Sequence, residues 1–356
     1  MRMRKQQGIS LVELMISITI GLILMTGVVQ LFLSSRATFS TQQALSRVQE
    51  TGRLAMEFLA DDIRMAGYMG CMSRNMSFTS TLKDQSSFAF NFGVGIEGLD
   101  DFDGTVPTGY PAGFSPLLGT DVLVVRGANG NGVGVTRNND SGQLFAENTR
   151  VAASCDEKEK SYSGLCENDI LVVSDCSKAR VFQATSLQDV STGGVEINIT
   201  HSSTGTPGND PTSWGGSSSK DPNETFGPDS EIIKVNASAY YIANGTSGAP
   251  SLWQQINGGT AQELLEGVQD MQLLYGRDTS GDSIPDTYQE ADVITAADAW
   301  EEVSSVRVQL LVQSSDDNVL EDAQPYTFNG VTNSAPGDRR LRQVFINTVG
   351  IRSRLP

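Results

Sequence analysis

Residues 5–33 of the chain read KQQGISLVELMISITIGLILMTGVVQLFL. From Leu14 to Leu33 this stretch contains twenty residues without a formal charge. A helix of that length extends about 30 Å, which matches the hydrocarbon thickness of a bilayer. Arg2, Arg4 and Lys5 precede it, and such a cationic flank stays in the cytoplasm. The sequence therefore predicts one membrane-spanning helix, with the rest of the chain in the periplasm or outside the cell.

A secretory signal peptide is the alternative, because it also has a basic start and an apolar middle. Its apolar region usually spans about 7–15 residues, which is shorter than the run found here. The triplet Ser35-Arg36-Ala37 is a mediocre cleavage site, and a helical pattern continues through it. We therefore favour a retained helix.

Glu13 is a lone carboxylate at the edge of this apolar span. Such a charge costs on the order of several kcal/mol in the membrane unless it is paired. A counter-charge on a neighbouring chain would fix the axial position of one helix against the next. The alternative is a side chain that merely reaches back to the membrane surface.

Residues 5–14, KQQGISLVEL, resemble the prepilin peptidase motif of type IV pilins. The resemblance implies that the leader, residues 1–8, is removed after Gly8 and that the new amino terminus at Ile9 is methylated. It also implies that Glu13 pairs with the terminal amine of a neighbouring subunit. The family usually begins its mature chain with Phe, and Ile9 keeps that position apolar.

After the leader, the chain divides into one long helix with two halves and a globular domain. Residues 9–35 are expected to form the transmembrane half of one long helix, and residues 36–66 its amphipathic periplasmic half. Gly67 is the expected helix end. The apolar face of the second half is predicted to contain Leu45, Val48, Ala55, Phe58, Leu59 and Ile63.

Residues 67–356 are predicted to form a β-rich domain, because short apolar runs alternate with Gly, Asn, Asp and Ser. The fold class is therefore α+β, with the long helix packed on an antiparallel sheet. A short helix is expected at Ala261–Gly267, and an exposed loop at residues 203–228. Candidate strands are Val122–Arg126, Ile170–Ser174, Ala179–Ala184, Val195–Thr200, Ile232–Ile242, Met271–Tyr275, Val306–Val312 and Gln343–Val349.

Four further stretches carry a narrower resemblance, and they are Arg36–Cys71, Asp169–Cys176, Leu265–Gly276 and Arg339–Phe345. They resemble the PilW family of minor pilins, and the resemblance covers both ends of the chain. It implies a subunit that primes type IV pilus assembly, stays in the tip complex and supports twitching motility or adhesion. The implied partners are other minor pilins, the major pilin, prepilin peptidase, the assembly platform and a tip adhesin.

Two rival functions remain at this point. A type II secretion pseudopilin of the J type has similar ends and shares the leader motif. A periplasmic hydrolase or ligand-binding domain tethered by the helix is the second rival. The implied localisation of the pilin is a single pass through the inner membrane with a periplasmic domain, followed by the pilus tip after assembly.

Four cysteines, Cys71, Cys155, Cys166 and Cys176, follow the membrane span. An oxidising compartment would favour disulfides, and four cysteines allow three pairings. We favour Cys155 with Cys166 and Cys71 with Cys176, which would tie the helix end to a strand. A zinc site is the rival, although no Cys-x-x-Cys spacing supports it.

The segment 278–286 has the oxygen spacing of a calcium loop. Asp278, Ser280, Asp282 and Asp286 would supply side chains, and Ile284 a carbonyl. Ser283 replaces the usual Gly, and Gln289 replaces the usual final acid. A plain acidic turn is the alternative, so calcium is a possible cofactor and no cofactor is required.

The formal net charge is −17, and it is −20 for residues 9–356 because the leader carries three cations. Nucleic acid is a poor partner for such a surface. The sole histidine, His201, lies beside a Gly/Ser-rich loop without an evident partner and is expected at the surface. A structural role rather than catalysis is predicted. Arg339, Arg340 and Arg342 form a basic cluster that is expected to pair with acidic neighbours or a partner, or to be solvated.

Overall fold

The computed structural model describes residues 10–71, 77–111, 113–140, 142–151, 155, 160–190, 194–210, 214 and 221–354. The helices in these ranges are α1 Leu11–Met65 and α2 Ala291–Ala296. The strands are β1 Ser77–Ser80, β2 Ile96–Leu99, β3 Val122–Ala128, β4 Val133–Asp140, β5 Gln143–Glu147, β6 Ser161–Tyr162, β7 Leu165–Cys166, β8 Ile170–Ser174, β9 Lys178–Gln183, β10 Ser186–Asp189, β11 Glu196–Thr200, β12 Glu231–Asn244, β13 Pro250–Ile256, β14 Gln262–Glu266, β15 Val268–Arg277, β16 Thr287–Gln289, β17 Val303–Gln313, β18 Tyr326–Phe328, β19 Val331–Asn333 and β20 Arg342–Gly350.

Helix α1 contains 55 residues and extends about 80 Å at about 1.5 Å per residue. It is long and apolar enough to cross a membrane, and its apolar stretch is not buried by the rest of the chain. Ser17, Thr19 and Thr26 each donate a side-chain hydrogen bond to a carbonyl one turn earlier. The span therefore contains hydroxyl groups that are already hydrogen-bonded, which lowers their cost in hydrocarbon.

The second half of α1 packs on the globular domain through small side chains. The predicted positions Val48, Leu59 and Ile63 are buried, but Leu45 and Phe58 are 39% and 44% exposed. The predicted face was therefore wrong at these two positions. Helical periodicity places Leu45 and Phe58 at the edge of the apolar face. The sheet, however, contacts the helix along the side where Ala44, Gly52 and Ala60 lie. The buried residues of the helix are Ala44, Val48, Gly52, Ala55, Met56, Leu59, Ala60 and Ile63.

A four-stranded antiparallel sheet, in the order β16-β15-β17-β20, forms the platform for this half of the helix. The core between helix and sheet contains Leu59 and Ile63 from α1, Met271 from β15 and Val308 from β17. The expected fold class, a long apolar helix joined to an antiparallel-rich domain, is confirmed. At the end of the helix, the N–H of Gly67 donates to the carbonyl of Arg126 in β3 at 2.8 Å.

A larger sheet of twelve strands contains the path β1-β9-β8-β12-β4-β5-β11-β10. Strand β12 is its hub, because residues 231–234 pair with β8 and β4 whereas residues 235–244 pair with β3 and β13. The β1–β9 pair is parallel, unlike the other strand pairs described. The eight candidate strands of the sequence all fall on β-strands, with Val195 and Ala184 just outside them.

A second core lies between β4, β5 and β8–β11, and it includes two side chains of the supposed exposed loop. Trp214 and Phe226 are 4% and 0% exposed and pack in this core, and Asn209 is 1% exposed. The expectation of an exposed loop at 203–228 was therefore wrong for these residues. The Gly and Ser content of the loop hides the few large side chains that cover the sheet.

The predicted helix at Ala261–Gly267 was also wrong. Residues Gln262–Glu266 form the edge strand β14, which pairs with β13. Pairing with a neighbouring strand satisfies backbone groups that a helix of this length would leave open at both ends. The sequence did not predict α2, which is only six residues long.

Gly52 provides a test of the contact between α1 and the sheet. A Cβ atom at Gly52 would lie 2.2 Å from the ring of Phe345 in β20. At Gly27, in the same helix, a Cβ atom would meet nothing within 4 Å. Both Gly→Ala changes raise helix propensity by about 1 kcal/mol, but overpacking costs about 1–3 kcal/mol. We expect Gly52→Ala to be less stable than Gly27→Ala by about 1–3 kcal/mol.

The measurement is chemical denaturation of both full-length variants in detergent, with unfolding monitored by circular dichroism. Equal stability of the two variants would show that Phe345 does not press on the helix.

Candidate functional site

The start of α1 is closed by a hydrogen-bonded capping box. The backbone N–H of Ser10 donates to Oε2 of Glu13 at 3.2 Å, and the Ser10 hydroxyl accepts the N–H of Val12 at 3.4 Å. The carboxylate therefore lies in the positive field of the helix amino terminus. The predicted processing residues, Gly8 and Ile9, lie outside the described residues. The pairing of Glu13 with another subunit stays a prediction.

The apolar surface of α1 starts beside this carboxylate. Every residue from 10 to 40 is exposed, including Leu11 at 74% and Leu31 at 73%. An apolar surface of this length is not stable in water and needs lipid or other helices around it. The first half of the helix therefore fits a membrane anchor.

The outward face of the second half carries charges of both signs. Arg64 and Asp61 form an ion pair at 2.9 Å, with both side chains more than half exposed, so it contributes little stability. Phe39 and Phe58 are exposed on the same half of the helix. The remaining exposed charges of this face are Arg47, Glu50, Arg53 and Glu57.

The four cysteines form two disulfides, Cys71–Cys176 and Cys155–Cys166. This is the pairing that the sequence analysis favoured. The first bond links the segment after α1 to the turn between β8 and β9, across a sequence separation of 105 residues. The second closes a loop with a separation of 11 residues. The long-range bond therefore fixes the large sheet to the end of the helix.

The predicted calcium loop, residues 278–286, closes on its own backbone. Asp278 accepts the N–H groups of Gly281 and Ser283 at 2.7 and 2.8 Å. Desolvation raises the pKa of Asp278, but these hydrogen bonds outweigh it and lower the pKa below the ordinary value. Asp286 accepts the N–H of Thr279 at 2.8 Å, and hydrogen bonds from Thr279 lower its pKa.

Within the described part of the chain, no group of three or more His, Cys, Asp and Glu side chains is arranged to hold a metal ion. Asp282 bonds to the N–H of Ile284 at 2.9 Å, and Ser280 donates to Asp278 at 3.3 Å. The loop is thus held by hydrogen bonds in the form described, and calcium binding stays a prediction.

His201 is buried, so the expectation of a surface histidine was wrong. It is 7% exposed and stacks on Trp214 with ring centroids 4.0 Å apart. Phe182 lies edge-on to both rings. Burial is the main cause that lowers the pKa of His201 to about 4. The ring is therefore neutral at physiological pH and acts as part of the second core.

Two members of the arginine cluster pair with an acidic neighbour. Arg342 is 8% exposed and donates to both oxygens of Asp338, at 2.9 and 2.7 Å. The hydrogen bond from Arg342 is the main cause that lowers the pKa of Asp338 to about 2. Arg340 lies 3.7 Å from Asp338 and donates to the carbonyl of Ser314. Arg339 is bound differently, through Oδ1 of Asn318 at 3.0 Å.

Sequence reasoning missed a buried ion pair at the base of β3. The side chain of Arg126 is 0% exposed and lies 2.6 Å from Glu97 in β2. It also donates to the carbonyls of Phe88 at 2.7 Å and Val94 at 2.9 Å. A charged residue at the end of the apolar run Val122–Arg126 was the one available signal. Removing the carboxylate of Glu97 would leave the guanidinium of Arg126 buried without a counter-charge.

A buried carboxyl group, Asp121, joins the loop after β2 to strand β15. It is 2% exposed and accepts the N–H groups of Asp101 at 2.9 Å and Leu273 at 2.6 Å. Burial raises the pKa of Asp121 to about 7 despite these bonds, and Asp100 and Asp270 add repulsion. Burial also raises the pKa values of Asp100 and Asp270 to about 6.

The two disulfides should differ in their effect on stability. In the chain-entropy description, closing a loop of about 100 residues contributes about 4.7 kcal/mol, and closing one of about 15 residues contributes about 3 kcal/mol. We therefore expect Cys71→Ser/Cys176→Ser to lower the free energy of unfolding more than Cys155→Ser/Cys166→Ser does. Denaturant titration of both double variants checks the order, and the reverse order would contradict it.

Asp121 should make stability depend on pH. Its pKa is raised from 3.8 to about 7 in the folded chain, so only the folded state binds this proton between about pH 4 and 7. Stability from this group therefore rises as the pH falls through 7. Asp121→Asn removes that proton and should flatten the slope by about one proton. Melting curves of both proteins at pH 5–8 measure the difference, and parallel slopes would contradict the assignment.

Comparisons with known proteins match both ends of the chain. Residues 239–353 match the family model PilW, described as type IV pilus-assembly protein W. This stretch runs from β12 through the four-stranded sheet that carries α1. Residues 3–29 match the prokaryotic N-terminal methylation motif. No curated protein and no solved structure matched the chain. The two matches, together with the helix and sheet described above, confirm the resemblance to type IV pilus minor pilins of the PilW family.

Proposed function

We propose that this type IV pilus-associated pilin is a minor pilin that primes pilus assembly and remains in the tip complex, where it supports twitching motility and adhesion. The observation that carries the proposal is the apolar half of α1, which begins beside Glu13 and is exposed from residue 10 to residue 40. A helix of this kind can be covered by lipid before assembly and by neighbouring helices afterwards.

The carboxylate of Glu13 would favour the assembled state, in which neighbouring helices replace lipid around α1. Apolar helices gain little by leaving lipid for one another, because both surroundings are equally apolar. A charge pair in hydrocarbon does favour one arrangement, since an unpaired carboxylate is costly there. Glu13 is held by its own helix terminus in the single chain, and the amine of a neighbouring subunit would replace that N–H with a full positive charge.

A limited copy number fits the shape of the domain. The helix packs on the four-stranded sheet and on β3, whereas no residue of α1 belongs to the second core. A subunit repeated along a fibre needs room for the same domain beside every helix, whereas a subunit at the end of a fibre does not. Other minor pilins, the major pilin, the assembly platform and a tip adhesin are the proposed partners.

Processing and localisation belong to the same proposal. Prepilin peptidase would cleave after Gly8, and Ile9 would become the methylated first residue. The helix would cross the inner membrane over residues 9–35 and leave residues 36–356 in the periplasm. Two disulfides in the described domain are suited to that oxidising compartment. The role would be structural rather than catalytic.

A type II secretion pseudopilin of the J type is the closest rival. The methylation motif suits either assignment, whereas the match of residues 239–353 to the PilW model favours the pilus. Deletion of the gene separates the two, because only a pilus subunit should be needed for surface fibres.

Glu13 should be essential for joining the assembly. We expect cells that lack this chain, and cells that carry Glu13→Ala, to have few surface fibres and little twitching motility. Glu13→Asp keeps the charge and should restore part of both. Electron microscopy of fibres and amino-terminal sequencing from Ile9 are the measurements, with membrane levels of each variant as the control. Normal fibres in the Glu13→Ala strain would overturn the proposed role.

A further inference from the structure

A groove of about 660 Å³ lies where α1 leaves its charge-free run. The helix side of the groove includes Leu33, Ala37 and Thr41, and the other side includes Leu320 and Arg339 from the connection between β17 and β20. Leu33 lies near the end of the predicted transmembrane half, residues 9–35. The groove therefore joins the end of that run to the globular domain.

The wall of the groove is held against the helix. The hydroxyl of Thr41 donates to the carbonyl of Val319 at 3.0 Å, and Val319 is 8% exposed. The N–H of Leu320 donates to the carbonyl of Arg339 at 3.0 Å. These bonds place the connection at a fixed height along α1.

Arg339 lies in this wall without an acidic partner. Its guanidinium donates to Oδ1 of Asn318 at 3.0 Å and to the carbonyl of Glu321 at 3.2 Å, which are neutral acceptors. Arg340 and Arg342 both pair with Asp338, whereas no ion pair of Arg339 is found among residues 10–71, 77–111 and the later described ranges. A fixed arginine with unused charge is suited to phosphate.

The end of the groove nearest the membrane span lies at the height of the headgroup layer of a membrane. Ala37 and Thr41 lie about 6 and 12 Å beyond Leu33 along the helix, at about 1.5 Å per residue. The headgroup region extends roughly 5–8 Å from the hydrocarbon on each side of a bilayer. A lipid beside the end of the span can therefore reach the groove without leaving the membrane.

The charges around the groove select the kind of headgroup. Glu321 also lines it, so Arg339 and Glu321 are the two charged residues of the lining. Exposed acids follow on the same connection, at Asp316, Asp317 and Asp322. They disfavour an anionic lipid and favour a headgroup that carries an ammonium as well as a phosphate.

We propose that this groove binds the headgroup of a membrane aminophospholipid, with its phosphate on Arg339 and its ammonium on Glu321. The inference rests on the proposed membrane-anchored state of the subunit. Binding would hold the domain against the membrane surface before assembly, and extraction of the helix into a fibre would release the lipid. The groove thus adds a second membrane contact to the helix itself.

The test uses the full-length protein in detergent, titrated with phosphatidylethanolamine and followed by native mass spectrometry. We expect Arg339→Gln to weaken binding about tenfold or more, because the neutral amide cannot make the charge-assisted hydrogen bonds of a guanidinium to phosphate. Arg36→Gln is the matched control, because Arg36 is exposed at the same height of α1 but does not line the groove. Unchanged binding by Arg339→Gln, or equal loss in both variants, would overturn the site.

Headgroup selectivity provides an independent readout if Arg339→Gln proves unstable. The ammonium of phosphatidylethanolamine can donate hydrogen bonds to Glu321, whereas the trimethylated group of phosphatidylcholine cannot. Wild type should prefer the first lipid, and Glu321→Gln should bind both equally. Competition by inorganic phosphate at equal concentration would point to a free anion site and overturn the lipid assignment. Loss of fibres in Glu13→Ala is a separate result, so failure here leaves the proposed function standing.

Discussion

The exposed apolar half of α1 is the constraint on which the rest of the structure depends. A surface that begins at Leu11 and continues to Leu33 must be covered by lipid or by other helices, because water does not tolerate it. The domain cannot supply that cover and still leave the helix free to insert. It packs instead on the second half of α1, where Ala44, Gly52 and Ala60 bring helix and sheet close together. The division of one helix into two surroundings therefore shapes the whole chain.

The same division explains why the domain is fastened so firmly to the end of the helix. Gly67 bonds to Arg126, Arg126 is buried against Glu97, and Cys71 is linked to Cys176. A helix that is pulled from lipid or packed into a fibre transmits force to its domain through these contacts. These bonds cross long stretches of sequence and hold the twelve-stranded sheet to the end of the helix.

The fold followed from the sequence where the pattern is local. The charge-free run and the apolar strands are recognisable from neighbouring residues alone, so α1 and the eight candidate strands were predicted correctly. The errors concern contacts between distant residues. Nothing near Leu45 indicates that Phe345 fills the space beside Gly52, and nothing near His201 indicates that Trp214 stacks on it. At the candidate site, Glu13 was visible as a lone charge, whereas the groove beside Arg339 exists only because a long connection returns to α1.

The arginines of this acidic chain differ in whether a carboxylate neutralises them. The guanidinium groups of Arg126 and Arg342 are buried, and each forms an ion pair with a carboxylate. Their charges are therefore neutralised inside the domain. Arg339 is one residue from Arg340 in sequence, yet it bonds to neutral oxygens. Arg340 and Arg342 thus pair with Asp338, whereas Arg339 keeps its charge near the end of the predicted membrane span. Arg339 is therefore the arginine of this cluster whose charge is available to the proposed lipid site, in a chain whose formal net charge is −17.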